Sequence, residues 1–165
     1  MKQIFLFCIV CFLCSCSDGD IQIETLDFDS VTAQTCDAIT TDTQLFFKIN
    51  DDEAIILTLQ SGVLKNEVTT ENIISTVPSQ SKIIYRIFTD KVSKGYFCDE
   101  IRPISPDVLQ EIEAESGEVI ISTVAGDNGS FVHTISLQNI SLVAANGNRI
   151  TDQTINEFGT VTTTP

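Results

Sequence analysis

The chain of 165 residues contains no tryptophan and only two tyrosines, Tyr85 and Tyr96. Flat aromatic side chains are the usual platforms on which proteins stack sugar rings. A glycosidase also needs two carboxyl groups that face each other across a cleft, and the many acidic residues here single out no such pair. The sequence therefore argues against a glycosidase, and phenylalanine-lined sites are the remaining alternative for carbohydrate binding.

The sequence contains a single histidine, His133. It lies within a pattern typical of a β-strand. A catalytic histidine would need a nucleophile and an orienting carboxylate nearby, and no G-x-S-x-G motif is present. The acidic turns lack the residue order of an EF-hand, and the cysteines and histidine lack zinc-ligand spacing. We therefore predict no catalytic site, no metal site and no cofactor.

Basic residues are few. Nine lysines and arginines stand against 23 aspartates and glutamates, which gives a net charge of −14. Such a charge favours solubility and repels nucleic acid and anionic head groups. We exclude nucleic acid as a partner.

Long apolar runs are absent except at the N-terminus, where residues 4–13 are uninterrupted and follow Lys2. A membrane-spanning helix needs about 20 apolar residues, so this run is too short to span a bilayer. A basic start followed by a short apolar run is typical of a signal peptide. We predict that residues 1–15 are a signal peptide. Its removal leaves eight basic residues and a net charge of −15.

The sequence Leu13-Cys14-Ser15-Cys16 resembles the lipobox of bacterial lipoproteins. The resemblance implies that Cys16 carries a diacylglycerol and becomes the first residue after cleavage. Cys14 is the alternative, but bulky Leu13 fits the position before a cleavage site poorly. Two or three acyl chains would hold the protein firmly on a membrane.

The next residues, Ser17-Asp18-Gly19-Asp20, resemble the acidic tether that directs lipoproteins of Bacteroidetes to the outer face of the outer membrane, although Gly19 interrupts the acidic run. We therefore expect residues 16–20 to be a lipidated tether and the domain to be surface-exposed. An ordinary solvated linker is the alternative. Asp29-Ser30-Val31 resembles the O-glycosylation acceptor of the same phylum, which makes Ser30 a candidate modification site.

Cysteine use changes once the leader is removed. Cys36 and Cys98 are then the only cysteines besides the lipidated one. Two thiols in an exported domain most simply form a disulfide, with two free buried thiols as the alternative. The bond would close a loop of about 60 residues and contribute roughly 4 kcal/mol.

The rest of the chain reads as short strands with polar turns between them. Residues 45–49 and 54–59 are rich in β-forming side chains and flank the turn-forming residues 50–53, which predicts a hairpin. About seven or eight such strands indicate an all-β protein, an antiparallel β-sandwich over residues 21–159. A small barrel is the alternative, and residues 160–165 are expected to be a frayed tail.

Residues 105–124 leave two interpretations open. Ser105 and Pro106 could begin a helix whose apolar face includes Val108 and Ile112. Ser116-Gly117 could instead be the turn of a hairpin. The order of cysteine, prolines, glycine turn and His-Thr-Ile from Cys98 onward resembles small flavobacterial lipoproteins of uncharacterised role, and this resemblance favours the hairpin.

Together these features predict a lipid-anchored lipoprotein of the bacterial outer membrane. We expect a non-enzymatic binding or structural component whose protein or glycan partner the sequence does not identify. The alternative is a periplasm-facing accessory subunit of an envelope complex, and a small hydrolase is a distant third.

Overall fold

The computed structural model of the protein describes residues 26–150 and 153–165. The predicted signal peptide (1–15), the tether (16–20) and Cys16 lie outside the described residues. The elements are, in chain order, β1 (Leu26–Asp27), β2 (Leu45–Asn50), β3 (Glu53–Thr58), β4 (Ile73–Val77), β5 (Lys82–Phe88), α1 (Gly95–Cys98), β6 (Val108–Ala125), a 3-10 turn (Asp127–Gly129), β7 (Phe131–Val143), β8 (Arg149–Ile150), β9 (Gln153–Thr154) and β10 (Glu157–Thr163).

The strands form one eight-stranded antiparallel sheet and a separate two-stranded pair. The order in the large sheet is β10-β7-β6-β5-β3-β2, with β4 added to β6 and β8 added to β7. The short strands β1 and β9 pair in parallel. Among the described strands the large sheet does not close on itself, so the predicted all-β sandwich is confirmed and the small barrel is not observed.

The hydrophobic core lies between the two halves of this sheet. Phe46, Ile55 and Tyr85 from the β2-β3-β5 half pack in one buried cluster with Ile135 and Phe158 from the β7-β10 half. Alternating side chains of a strand point to opposite faces, which explains why His133, Ile135 and Leu137 of β7 are buried at every second position. In β2 and β3, by contrast, consecutive residues are buried. The predicted hairpin of β2 and β3 is confirmed, with Asn50 paired to Glu53 across the turn.

Neither interpretation of residues 105–124 was correct. Residues 108–125 form the single strand β6, which continues through Ser116-Gly117 instead of turning. Its first part (residues 108–113) pairs with β5. Its second part pairs with β4 and, from Ala114 onward, with β7. The pairing is irregular around Ser116, so the glycine serves a bulge between the two halves of the sandwich. Ile112 and Ala114 are buried at every second position, which is the period of a strand and not of a helix.

The prediction of a frayed tail was also wrong for residues 160–163. They belong to β10, where Val161 pairs with His133 and Thr163 with Phe131. Val161 and Thr163 are buried, because their alternate spacing places both on the core face of the strand. The sandwich therefore extends past residue 159.

The helix α1 covers the outer face of the β2-β3-β5 half. Phe97 stacks on Phe47 with ring centroids 4.6 Å apart, and Tyr96 meets Phe88 edge to face at 4.9 Å. The predicted bond between Cys36 and Cys98 is confirmed. It fastens the segment before β2 to the end of α1, next to this aromatic cluster.

Within the described part of the chain, no helix has the length and apolar character needed to cross a membrane.

Gly117 is expected to be intolerant of a side chain. Its φ is +139°, and an added Cβ would lie 2.4 Å from Ile140 Cδ1 and 3.0 Å from Ile140 Cα. Gly117→Ala should therefore lower the free energy of unfolding by about 2–4 kcal/mol, measured by urea denaturation. Gly147→Ala is the matched control, because φ is also positive there but no atom lies within 4 Å of the added Cβ. Equal losses for the two variants would contradict a close approach at Gly117.

Candidate functional site

Lys48 is a buried lysine on β2, with only 2% of its surface exposed. Phe46, two residues before it, packs in the main core, whereas Phe47 contacts Phe97 on the opposite face. Lys48 therefore extends into the sandwich, because alternate residues of a strand share one face.

The ammonium of Lys48 joins three distant parts of the chain. Its Nζ donates hydrogen bonds of 2.7 Å to the carbonyl oxygens of Phe28 and Glu157. The same atom lies 5.5 Å from the centroid of the Phe158 ring. An ammonium has three N–H donors, and the described residues accept from two of them. The face of the Phe158 ring provides a further favourable contact for the ammonium.

Burial lowers the pKa of Lys48 below its usual value, because the ammonium loses water. The carboxylates of Asp29, Glu157 and Asp27 oppose this effect and favour the charged form. The side chain of Asp29 also contacts the start of β10, because Glu157 N donates a hydrogen bond of 3.1 Å to Asp29 Oδ1. The site therefore combines a buried cation with acidic groups at the surface.

A cleft of about 270 Å³ lies over this lysine, between the segment after β1 and the start of β10. Its polar lining consists of one ammonium, two carboxylates and several hydroxyls, from Lys48, Asp29, Glu157, Ser30, Thr32, Thr134 and Thr160. Such a surface can exchange hydrogen bonds with a small polar molecule. Ser30, the candidate O-glycosylation site, is exposed in this lining. Its modification stays a prediction.

His133 is fully buried, in contrast to an ordinary strand histidine that is half exposed. Thr123 Oγ1 lies 2.8 Å from Nδ1, and Thr163 Oγ1 lies 2.8 Å from Nε2. Thr163 donates to Asn66 Oδ1 at 2.5 Å, so it accepts from Nε2–H, while Thr123 donates to Nδ1. The ring is thus a neutral link between β6, β7 and β10. Burial lowers the pKa of His133, because the charged ring would lose water.

The hydroxyls beside His133 belong to threonines that complete its hydrogen bonds, and no carboxylate bonds to the ring among the described residues. In that same part of the chain, no group of three or more histidine, cysteine, aspartate or glutamate side chains is placed to hold a metal ion.

Sequence reasoning missed Lys48 and the cleft. The available signal was a lysine within the apolar β run at 45–49, at the same strand face as Phe46. That signal gives no indication of which carbonyls the lysine reaches. Cys16 lies outside the described residues, so the structure does not relate it to the cleft.

No protein-family model, no curated protein and no solved structure matches this chain.

Replacing Lys48 should weaken the fold. Lys48→Met keeps a long side chain but leaves the carbonyls of Phe28 and Glu157 without the ammonium, which should cost about 1–3 kcal/mol of unfolding free energy. Lys82→Met is the matched control: Lys82 lies at the surface, 3.7 Å from Glu113, and its loss should cost less than about 1 kcal/mol. Urea denaturation of both variants tests this expectation. A Lys48→Met protein as stable as the control would show that the two hydrogen bonds are dispensable.

His133 should make the protein less stable in mild acid. Its pKa is lowered in the folded state, so below about pH 6.5 the unfolded chain binds more protons and the folded state loses up to about 1.4 kcal/mol per pH unit until the folded pKa is reached. Because His133 is the only histidine, its NMR titration is unambiguous and should have a midpoint below 6.5. A midpoint at or above 6.5 would contradict a buried neutral ring. The His133→Gln variant should lack this part of the pH dependence in urea denaturation.

Proposed function

We propose that the chain is a lipid-anchored protein of the bacterial outer membrane, with Cys16 as the lipid-bearing residue and the sandwich as a non-enzymatic binding component at the cell surface. The proposal is supported by the positions and bonding of the cysteines. Cys36 and Cys98 are joined in a disulfide, and structural disulfides are typical of exported proteins. After removal of a leader ending at Ser15, Cys16 is the only other cysteine.

A binding role is supported by the cleft over Lys48. Its lining includes Lys48 together with hydroxyl and carboxylate groups. The arrangement suits a small polar ligand that is held by hydrogen bonds. The described surroundings of His133 favour a structural role for that residue over a hydrolytic one, because its two ring nitrogens are occupied by threonines that link three strands.

The anchor is tested by substitution in the cell that makes the protein. Cys16→Ala should release the protein from the membrane fraction, because no acyl chain can be attached. Cys14→Ala is the matched control, since alanine is common at that position of a lipobox, and the protein should remain with membranes. Unchanged membrane partition of the Cys16→Ala protein would overturn the proposed anchor.

An experiment on the same cells tests which face of the outer membrane carries the domain. Protease added to intact cells should remove the wild-type sandwich if it is at the surface, while a periplasmic protein in the same cells stays intact as the control. Protection of the sandwich until the outer membrane is opened would overturn surface exposure and favour a periplasm-facing subunit.

A further inference from the structure

Two asparagines of the chain are followed by glycine. Asn128-Gly129 lies in the turn between β6 and β7, and Asn146-Gly147 lies in the connection between β7 and β8. Such a pair can react within its own chain, because glycine has no Cβ that would shield its backbone nitrogen from the asparagine side chain. All four residues are exposed to solvent. The hydrogen bonds around each pair therefore decide how freely its two reacting groups can meet.

The peptide group between Asn128 and Gly129 is free to rotate. Two backbone hydrogen bonds close this turn, from Gly126 N to Ser130 O at 2.8 Å and from Ser130 N to Asp127 O at 3.0 Å. Neither involves the Asn128–Gly129 peptide group, and within the described residues neither this group nor the Asn128 carboxamide has a hydrogen-bond partner. Rotation changes ψ of Asn128 and φ of Gly129, and glycine accepts a wide range of φ.

The corresponding groups of Asn146 and Gly147 are held in place. Gly147 N donates a hydrogen bond of 2.8 Å to Ala144 O. Asn148 N donates a hydrogen bond of 2.9 Å to the side-chain oxygen Oδ1 of Asn146. Both the backbone nitrogen and the carboxamide must therefore leave a partner before they can react with each other.

We propose that Asn128 is a site of spontaneous deamidation in the folded protein, whereas Asn146 is protected. Gly129 N forms a bond to Asn128 Cγ while the bond from Cγ to Nδ2 breaks. The released amide nitrogen takes up the proton of Gly129 N and leaves as ammonia. Water then opens the five-membered imide at either of its two carbonyls, which gives aspartate or isoaspartate. The first step is intramolecular, so its rate depends on how often the two groups reach the geometry of attack.

The modification changes the turn between β6 and β7. Either product places a new carboxylate beside Asp127, in a chain that is already strongly acidic. Isoaspartate also lengthens the backbone by one carbon, so the two hydrogen bonds between residues 126 and 130 that close the turn should be weakened. Asn128 is thus a position at which the age of a molecule alters both its charge and its local structure.

The proposal is tested by incubating the purified full chain in mildly alkaline buffer and then mapping its peptides by mass spectrometry. Chymotryptic cleavage after Phe131 separates Asn128 from Asn146, and electron-based fragmentation distinguishes aspartate from isoaspartate. In the folded protein we expect Asn128 to deamidate at least about tenfold faster than Asn146, because only Asn146 must first break hydrogen bonds.

The same chain unfolded in urea is the control, since both pairs then lack their folded surroundings and should react at similar rates. A ratio of the two rates that is the same in the folded and the unfolded chain would overturn the proposal. So would an Asn128 that reacts only after unfolding.

Gly129→Ala tests the attacking atom. No atom lies within 4 Å of the added Cβ, but the methyl group shields the backbone nitrogen, so deamidation of Asn128 should become about tenfold slower and that of Asn146 should not change. An unchanged rate at Asn128 in this variant would show that Gly129 N is not the nucleophile and would overturn the mechanism.

Discussion

The hydrogen bonds of Lys48 join the two strands at the ends of the large sheet, β2 and β10. β2 and β10 end the large sheet on opposite sides, and the ammonium on β2 reaches the first residue of β10 and the carbonyl of Phe28. Burying an ammonium is costly unless hydrogen bonds replace its water, and here two carbonyls and the face of Phe158 do so. The course of the chain from Phe28 to Gln34, which then pairs with Phe47, depends on this junction.

A polar link of a different kind crosses the β6-β7-β10 half. The chain of hydrogen bonds from Thr123 through His133 and Thr163 to Asn66 joins three strands to the connection before β4. Every buried side-chain nitrogen and oxygen in the described residues has a hydrogen-bond partner. The interior therefore combines an apolar core with polar groups whose partners come from different strands, which favours one register over shifted ones.

The local sequence pattern was sufficient to predict the class of fold and the pairing of strands that are close together in the sequence. Two runs of β-forming side chains around turn-forming residues predicted β2, β3 and their turn, and removal of the leader left Cys36 and Cys98 as the natural disulfide pair. The strand β4 was missed because it is short and its pairing partners in β6 lie 40 to 48 residues away along the chain. Ser116-Gly117 was misread because a bulge and a tight turn both use glycine.

The candidate site was less predictable than the fold for the same reason. A lysine within an apolar run does not indicate whether it points inward, and the acceptors of Lys48 lie 20 and 109 residues away along the chain. The burial of His133 likewise depends on Thr163, in a segment whose threonine-rich composition indicated a loose tail. Contacts between distant residues determine both environments, and such contacts leave little trace in local composition.

The continuous course of β6 has a consequence for how the domain opens. Because β6 pairs with β5 in one half of the sandwich and with β4 and β7 in the other, neither half can separate without disrupting a hydrogen-bond ladder of this shared strand. The two halves should therefore behave as a single cooperative unit, and the central amides of both should exchange their hydrogens with solvent through one common global opening.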